Sequence, residues 1–371
     1  MRKVKLEDAC EILDNQRIPI TASERKAGPY PYYGANGLQD YVNGYIFDDE
    51  LVLLAEDGGN FGSKEKPIAY RVSGKCWVNN HAHVLKPKEN IDVNYLCYSL
   101  MFYDVSGLVN GATRQKLTQK DMRKMAIPLP SIEEQKAIAE KLDKVSSLIE
   151  KRKQQLSLLD TLVKSKFVEM FGDPEINPHR FEKVTINDVC ESIVRGPFGS
   201  SLKKEFFVEK SDKSYKVYEQ KHAIQKSATI GTYYIDETKF KELSRFECKA
   251  GDFLMSCSGT MGEIYQLPEN CERGIINQAL CKFTLNKKII PIYFLVFMRQ
   301  TIGKLETKGS GIKNIAAVSY VKTMPVILPP IGLQTQFVAF VERIDNLKAK
   351  IKQSLAAIEL LKKSLMQKYF G

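Results

Sequence analysis

Met125–Gly172 reads MAIPLPSIEEQKAIAEKLDKVSSLIEKRKQQLSLLDTLVKSKFVEMFG, and Met324–Gly371, 199 positions later, reads MPVILPPIGLQTQFVAFVERIDNLKAKIKQSLAAIELLKKSLMQKYFG. The two stretches align without a gap, and about a third of their positions are identical. A helical segment used twice, each time after a globular stretch, predicts a molecule built as two similar halves. Such a molecule suits a ligand that presents two sites at a fixed separation, and DNA is the commonest such ligand.

Each repeated segment is predicted to form one long helix. In the first, Ser131 is a suitable N-cap with Glu134 three residues later, and Phe171-Gly172-Asp173-Pro174 ends the helix. Apolar residues follow at steps of four and three, the period of a coiled-coil seam. The first seam is Ile138, Leu142, Val145, Ile149, Leu156, Leu159 and Val163, interrupted by Arg152, and the second, looser one is Phe337, Val341, Ile344, Leu347, Ile351, Leu355, Ile358, Leu361 and Leu365. We expect the seams to pair as an antiparallel coiled coil; alternatively, each helix packs on its own globular half.

Composition is compatible with a two-part protein that binds a polyanion. The 371 residues can bury two modest cores. Lys and Arg number 55 against 44 Asp and Glu, a net charge of +11, which favours nucleic acid as a partner. The first residues lack the apolar core of a signal peptide, and no run of about 18 apolar residues predicts a membrane span. The 8 cysteines form no CxxC pair, so we expect a reducing cytoplasmic location.

The globular halves share further short similarities. Val4–Glu11 matches Val184–Glu191, and Asn80-His81-Ala82 resembles Asn277-Gln278-Ala279. Strands are predicted at Ile46–Phe47, Leu51–Ala55, Phe253–Cys257 and Ala279–Leu285, and helices at Val93–Val105 and Pro291–Leu305. The expected fold class is α+β, with two similar mixed α/β domains joined by the two paired helices in a pseudo-two-fold arrangement. The expected division is 1–130 and 173–328 for the domains, and 131–172 and 329–371 for the helices.

The chain lacks the motifs of DNA-modifying enzymes. An amino-methyltransferase needs an Asn/Asp-Pro-Pro-aromatic loop for the flipped base, and none is present. The stretch from Gly196 to Lys203 resembles a phosphate-binding loop only superficially, because its spacing is wrong. Asp57, Glu65 and Lys66 could form a nuclease site, but such sets arise by chance in a chain with 27% charged residues. For His81-Ala82-His83 a structural or DNA-facing role is favoured over zinc, so we predict neither catalytic residues nor a metal site.

Polar and basic residues at glycine-rich turns are the candidates for DNA contact. Lys and Arg neutralise phosphates, whereas Asn, Gln, Arg, Ser and Thr read base edges. In the first half the candidates are Tyr33, Asn36, Asn80, His81, Thr113, Arg114, Gln115 and Lys116. In the second half they are Ser200, Ser201, Lys203, Glu219, Gln220, Lys221, Ser258, Thr260, Asn277, Gln278, Lys308, Ser310, Lys313 and Asn314. The clusters Thr113–Lys116 and Lys308–Asn314 occupy matching places and are favoured first; Tyr32, Tyr33 and Tyr218 are favoured as core residues over base stacking.

The order of these motifs resembles the specificity subunit of type I restriction–modification systems. The resemblance rests on YPYYGANGLQDYVNGYIF, AEDG, NNHAHVL, GATRQKL and IPLPSIEEQ in the first half, and on GPFGSSLKKEF, YKVYEQKH, GDFLMSCSGTMG, INQAL and LPP in the second. It covers essentially the whole chain, and the duplicated helix start makes it specific. One departure is that the second start, Pro329-Pro330-Ile331-Gly332-Leu333-Gln334, lacks the Glu-Gln pair of the first.

The resemblance implies a non-catalytic, sequence-reading role. Two target recognition domains would each read one half of a bipartite, asymmetric DNA sequence, and the helices would set the gap and dock two methyltransferase subunits. Restriction subunits would join them. Adenine methylation at N6 would use S-adenosylmethionine held by the methyltransferase, with no cofactor in this chain. The alternatives are a coiled-coil protein adaptor without a DNA role, and a self-contained DNA-modifying enzyme.

Overall fold

A computed structural model describes residues 2–111, 115–307 and 317–371. The chain divides into two compact units, the first extending to Gln154 and including Lys352–Gly371, and the second consisting of Gln155–Ile351. Each unit therefore contains one globular region and a part of each long helix. Within the described residues, none of the helices combines the length and the apolar character needed to cross a membrane.

The first globular region is a mixed sheet with short helices. Its elements are β1 (Lys3–Lys5), α1 (Leu6–Ala9), β2 (Cys10–Ile12), β3 (Ala27–Gly34), β4 (Gly37–Val42), β5 (Phe47–Ala55), β6 (Ala69–Val78), β7 (Ala82–Pro87), α2 (Val93–Met101), β8 (Val109–Asn110), β9 (Lys116–Leu117), α3 (Gln119–Lys124) and β10 (Ala126–Pro128), and α4 (Ile132–Phe171) follows. The main sheet has the order β2-β7-β5-β6-β3-β4.

The central strand β5 explains why this region folds around two cores. Its residues 51–55 are fully buried, and alternation sends Val52 and Leu54 into one apolar cluster and Leu51 and Leu53 into another. Phe47 of the first predicted run and the whole run at residues 51–55 thus belong to one strand, and Ile46 lies just before it. The predicted helix from Val93 to Val105 is wrong at its end: α2 stops at Met101, and Asp104 then accepts a hydrogen bond from the Ser106 N–H in a local turn.

The second globular region divides its strands between two main sheets. Its elements are β11 (Glu182–Thr185), β12 (Cys190–Arg195), β13 (Tyr215–Tyr218), α5 (Gln220–Ile224), β14 (Tyr234–Ile235), α6 (Glu237–Glu242), β15 (Glu247–Cys248), β16 (Phe253–Ser256), β17 (Ile264–Gln266), β18 (Gly274–Ile276), β19 (Leu280–Leu285), α7 (Pro291–Thr307), α8 (Val318–Thr323) and β20 (Pro325–Leu328), and α9 (Ile331–Phe370) follows. One sheet has the order β12-β19-β16-β17 and the other β14-β13-β18-β15.

Both globular regions close in the same way just before their long helix. The first strand pairs antiparallel with the last, so that Val4 lies opposite Ile127 in one region and Val184 opposite Val326 in the other. A tyrosine of an earlier helix bonds to the closing strand in each region, since Tyr95 of α2 donates to the Pro128 carbonyl and Tyr293 of α7 donates to the Ile327 carbonyl. The duplication seen in the sequence is therefore a duplication of structure.

A buried glutamine holds each long helix to its globular region. Gln135 accepts a hydrogen bond from the Asp92 N–H at 3.0 Å and donates to the Asn90 and Pro130 carbonyls. Gln334 repeats this with the Ile290 N–H at 2.9 Å and with the Lys288 and Pro329 carbonyls. The second helix start lacks the glutamate of the first but keeps the glutamine that makes these bonds.

Within each unit, α4 and α9 run antiparallel along a shared seam. In the first unit, Ile138 and Leu142, near the start of α4, share a cluster with Leu365 and Phe370, near the end of α9. In the second unit, Phe167 and Phe171 near the end of α4 pack on Phe337 near the start of α9. The prediction of an antiparallel coiled coil in an α+β fold is confirmed. Ser131 also caps α4 as predicted, accepting a bond from the Glu134 N–H.

Two positions of the predicted α9 seam are wrong. Leu347 and Leu361 are 45% and 50% exposed. The strict alternation of four and three continues instead through Lys348 and Lys362, because their aliphatic stems can line a seam while the charge reaches outward. Lys348 is accordingly 18% exposed and pairs with Asp160 at 2.7 Å. Burial lowers the pKa of Lys362.

Candidate nucleic-acid interface

Two parallel strands end side by side at one edge of the first globular region. Tyr33 of β3 lies opposite Val78 of β6, and the N–H of Asn79 donates to the Tyr33 carbonyl at 3.0 Å. The Asn79 side chain then accepts a hydrogen bond from the His81 N–H at 2.8 Å, which turns the chain sharply. This turn presents Asn80, which is exposed, at the strand ends.

Three further segments meet this edge. The Asn36 side chain donates to the Gly58 carbonyl at 3.0 Å, and the Gly58 N–H approaches the Gln115 carbonyl at 3.3 Å. The backbones of Lys116 and Asp57 form an isolated antiparallel β-bridge. The fold thus brings together the described first-half candidates, which are Tyr33, Asn36, Asn80, His81, Gln115 and Lys116. Thr113 and Arg114 lie outside the described residues. Asn36, Asn80, Gln115 and Lys116 are exposed, and His81 and Tyr33 are partly buried.

A buried charged network supports this edge from below. His83 is fully buried, with Nδ1 2.6 Å from Asp14 Oδ2 and Nε2 2.9 Å from the Leu117 carbonyl oxygen. Burial raises the pKa of Asp14, but the hydrogen bond and charge of His83 outweigh it and hold that pKa below its usual value. Both ring nitrogens of His83 therefore face hydrogen-bond acceptors, the Asp14 carboxylate at Nδ1 and the Leu117 carbonyl at Nε2. His83 and Asp14 form a buried, hydrogen-bonded pair.

The same network decides whether a metal ion could bind. Within the described residues, ligand atoms of Asp14, Glu56 and His83 lie within 4.8 Å of one another. Glu56 already pairs with Arg17 at 2.6 Å and with Lys116 at 3.0 Å. A cation entering the group would compete with Arg17 and Lys116 for the Glu56 carboxylate. The chemistry of the cluster favours an internally neutralised support over a metal centre.

The second globular region repeats this frame, which consists of the ends of two parallel strands held by an asparagine turn. Tyr218 of β13 lies opposite Ile276 of β18 in parallel pairing, and the Asn277 N–H donates to the Tyr218 carbonyl at 2.9 Å. The Asn277 side chain accepts a hydrogen bond from the Ala279 N–H at 3.1 Å. The structural equivalent of Asn277 is consequently Asn79, and the sequence-based pairing with Asn80 was wrong by one residue.

Other candidates of the second half lie beside this turn. The Gln220 side chain lies 3.4 Å from the Thr260 carbonyl, and a Cβ on Gly199 would lie 3.0 Å from Gln278 Oε1. The loop with Ser258 and Thr260 thus lies near Gln220, and the turn with Ser200 and Ser201 near Gln278. Lys308, Ser310, Lys313 and Asn314 lie outside the described residues.

The remaining candidates make local contacts. Lys203 lies 3.6 Å from Glu205 and Lys221 lies 2.6 Å from Glu219. The Glu219 backbone N–H donates to His222 Nδ1, whose ring helps to cap α5. Tyr32 and Tyr218 are 1% and 0% exposed, which confirms them as core residues.

Two arginines were missed by sequence reasoning. Arg17 donates to the Ala82 carbonyl at 2.7 Å, and Arg195 donates through Nε to the Gln278 carbonyl at 2.9 Å. Arg17 lies five residues after the end of β2 and bonds to the residue that follows the first asparagine turn, whereas Arg195 is the last residue of β12 and bonds within the second turn. The available signal was their similar place in the two halves, five and seven residues after Cys190 and Cys10.

The buried layer under the second edge carries thiols. Cys257 donates its N–H to the Ala279 carbonyl, as Glu56 does to the His81 carbonyl, and Cys281 lies opposite Met255, as His83 lies opposite Leu54. Cys257 and Cys281 therefore stand where the first region has Glu56 and His83. The neighbouring Cys257 and burial raise the pKa of Cys281 well above its usual value, so this thiol stays neutral.

The fold and both edges define a class of protein with two related recognition regions on paired helices. The family described as "type I restriction modification DNA specificity domain" matches residues 1–158 and 178–360. This chain belongs to that family of non-catalytic specificity subunits, and the family gives it a role in DNA sequence recognition.

Named relatives and solved structures agree with that assignment. A putative type I restriction enzyme specificity subunit of Haemophilus influenzae is 27% identical over 94% of this chain and 89% of its own length. The EcoKI specificity subunit of Escherichia coli is 22% identical over 86% of this chain and 74% of its own length.

In the fold comparison, the type I S subunit of M. genitalium has a TM-score of 0.57 at 14% identity, covering 100% of this chain and 96% of that one. A chain from a structure on complex assembly and conformational transition of the type I R-M system has a TM-score of 0.61 at 15% identity, covering 100% and 97%. These likenesses concern the fold.

Proposed function

We propose that this chain reads a bipartite, asymmetric DNA target and directs N6-adenine methylation by partner methyltransferase subunits, and cleavage by restriction subunits. Each globular region reads one half of the target through its asparagine-turn edge. The chain holds no cofactor, and S-adenosylmethionine belongs to the methyltransferase. This extends the DNA-recognition role of the family to the partners and reaction of this particular chain.

The observation that carries the proposal is the repeated edge. In both regions the backbone at the ends of two parallel strands is held by the same asparagine turn, whereas the exposed side chains differ: Asn36, Asn80 and Gln115 in the first, Gln278 and Thr260 in the second. Amide side chains suit adenine edges and Lys suits phosphate. Different side chains on one frame are what two unlike half-sites require.

The test is single-molecule sequencing of DNA from cells that express the chain with the methyltransferase encoded beside it. We expect N6-methyladenine in one split motif only when the chain is present. Cells that lack only this chain are the control. Methylation that persists unchanged without the chain would reject the proposal and move the adaptor alternative forward.

Two rearrangements assign the parts of the motif. Replacing residues 1–124 by the corresponding domain of a relative should change one half-site and leave the other intact. Inserting one heptad in each long helix should change the length of the unread gap and leave the half-site bases unchanged, because the helices act as the spacer. A heptad insertion that altered the half-site bases would contradict the spacer role.

A further inference from the structure

Phe198 is a large apolar side chain that the fold leaves in solvent. Its side chain is 87% exposed, the highest value among the exposed large apolar residues that the structure describes. The preceding Pro197 is buried. Exposed apolar residues are common singly, but an aromatic ring held at the tip of a recognition loop is a typical binding feature.

The backbone on both sides of Phe198 is held in place. The Gly196 N–H donates to the Leu280 carbonyl at 3.0 Å, and a Cβ on Gly196 would lie 1.9 Å from the Asn277 carbonyl oxygen. After Phe198, its own carbonyl accepts a hydrogen bond from the Ser201 N–H at 2.9 Å. The ring therefore projects from a rigid base that is built on the asparagine turn, next to Gln278.

The charge of this loop identifies the occupant. Residues 195–205 carry Arg195, Lys203 and Lys204 against one acidic residue, Glu205, which lies 3.6 Å from Lys203, so the loop keeps a net positive charge. Basic groups around an apolar tip suit DNA, where they neutralise phosphates while the apolar group enters between bases. In the first region the residue 180 positions earlier is Ile18, which is 53% exposed and whose carbonyl accepts a bond from Trp77.

We propose that Phe198 is a wedge that inserts between adjacent base pairs at the half-site read by the second globular region, an inference that rests on the proposed function. Insertion unstacks one base step and is easiest at a flexible pyrimidine–purine step. The second half-site, or the base pair beside it, therefore contains a TA or CA/TG step. The ring adds specificity through the deformability of the DNA and not through hydrogen bonds.

The test uses the full chain purified with its methyltransferase, and duplexes carrying the motif found in cells. One base of the pyrimidine–purine step is replaced by 2-aminopurine, whose fluorescence rises when it is unstacked. Wild type should raise the fluorescence, Phe198→Leu should do so partly, and Phe198→Ala should not, even at saturating protein. Phe198→Ala should also bind the motif roughly 10-fold or more weakly, as expected for the loss of one aromatic stacking contact.

Ile176→Ala is the matched control, because Ile176 is 74% exposed in the same unit and lies outside the edge. It should leave affinity and fluorescence unchanged. Equal fluorescence and affinity for Phe198→Ala and wild type would overturn the wedge. Loss of methyltransferase from the purified Phe198→Ala complex would also overturn it, because the ring would then dock a protein. If wild type itself methylates no motif, the proposed function fails first and the wedge with it.

Discussion

At the edge of the first globular region, Glu56 and His83 form a charged network with Asp14, Arg17 and Lys116. At the equivalent places in the second region stand Cys257 and Cys281. The backbone frame above them is the same, because Asn79 and Asn277 make the same two hydrogen bonds. The frame therefore depends on the strand pairing and the asparagine turn, whereas the layer beneath it can be ionic or nearly apolar.

The largest effect is expected from a substitution that disrupts the ionic layer of the first region. Asp14→Ala leaves the buried His83 ring and the Val84 N–H without their carboxylate partner, and we expect the first region to lose about 3–5 kcal/mol of unfolding free energy. Asp14→Asn should lose clearly less, because the amide keeps a hydrogen-bonding atom at the position of each carboxylate oxygen. Urea unfolding followed by tryptophan fluorescence reports on this region alone, since Trp77 of β6 is the single tryptophan of the chain. Equal losses for the two variants would show that the hydrogen bonds of residue 14 do not carry the effect.

The next largest effect concerns the seam between α4 and α9, where buried and exposed positions should differ in their contribution to stability. Ile344→Ala should destabilise the second unit by about 2–5 kcal/mol, because Ile344 is buried in its core cluster. Leu347→Ala and its equivalent Leu148→Ala should change stability by less than about 0.5 kcal/mol, since these leucines are 45% and 47% exposed. Hydrogen exchange of the α4 and α9 peptides measures all three variants. A large loss for Leu347→Ala would restore the seam first inferred from the sequence.

A smaller effect is expected from the buried glutamine that attaches each long helix to its globular region. Gln135→Ala and Gln334→Ala each leave a backbone N–H and two carbonyls without their buried partner, so each should cost about 2 kcal/mol or more. The two losses should be equal within error because the bonds are the same. Hydrogen exchange at the first turns of α4 and α9 is the measurement. An effect at only one helix start would mean that the two attachments are not equivalent.

The smallest effect is a pH dependence confined to the second region. Burial lowers the pKa of His222, with Lys216 acting in the same direction and Glu219 against it, and Nε2 donates to the Ile230 carbonyl. The unfolded chain, with a His pKa of about 6.5, then binds more protons than the folded chain. Stability is therefore complete above pH ~6.5 and decreases as the pH falls below it.

Exchange protection of peptides covering 219–231 should follow this pH dependence. In His222→Gln the dependence should disappear, because the amide does not titrate. In the first region, the lowered pKa of Asp14 means that its contribution is lost only at more acidic pH, below about 4. Loss of protection in both regions over the same pH range would contradict the difference between their buried layers.

The loops at the edges could be selected from sequence, but their exact alignment could not. Glycine-rich turns with amides identified the right segments, since such turns carry polar residues at strand ends. Asn79 and Asn80 are adjacent and chemically identical, and only the pairing of β3 with β6 shows which of them bonds to Tyr33. In the same way, hydrophobicity favours Leu347 for the seam, whereas the strict heptad spacing places Lys348 there.

The sequence by itself determined the duplication, the two long helices, the antiparallel pairing of their seams and the α+β class. These features follow from periodicity and capping, which act over a few residues and are written locally in the chain. Three features are visible only in the tertiary structure: the Asp14–His83 pair, the structural equivalence of Glu56 and Cys257, and the exposure of Phe198. Asp14 and His83 lie 69 positions apart. Contacts over such separations depend on strand order and register, which no local pattern encodes.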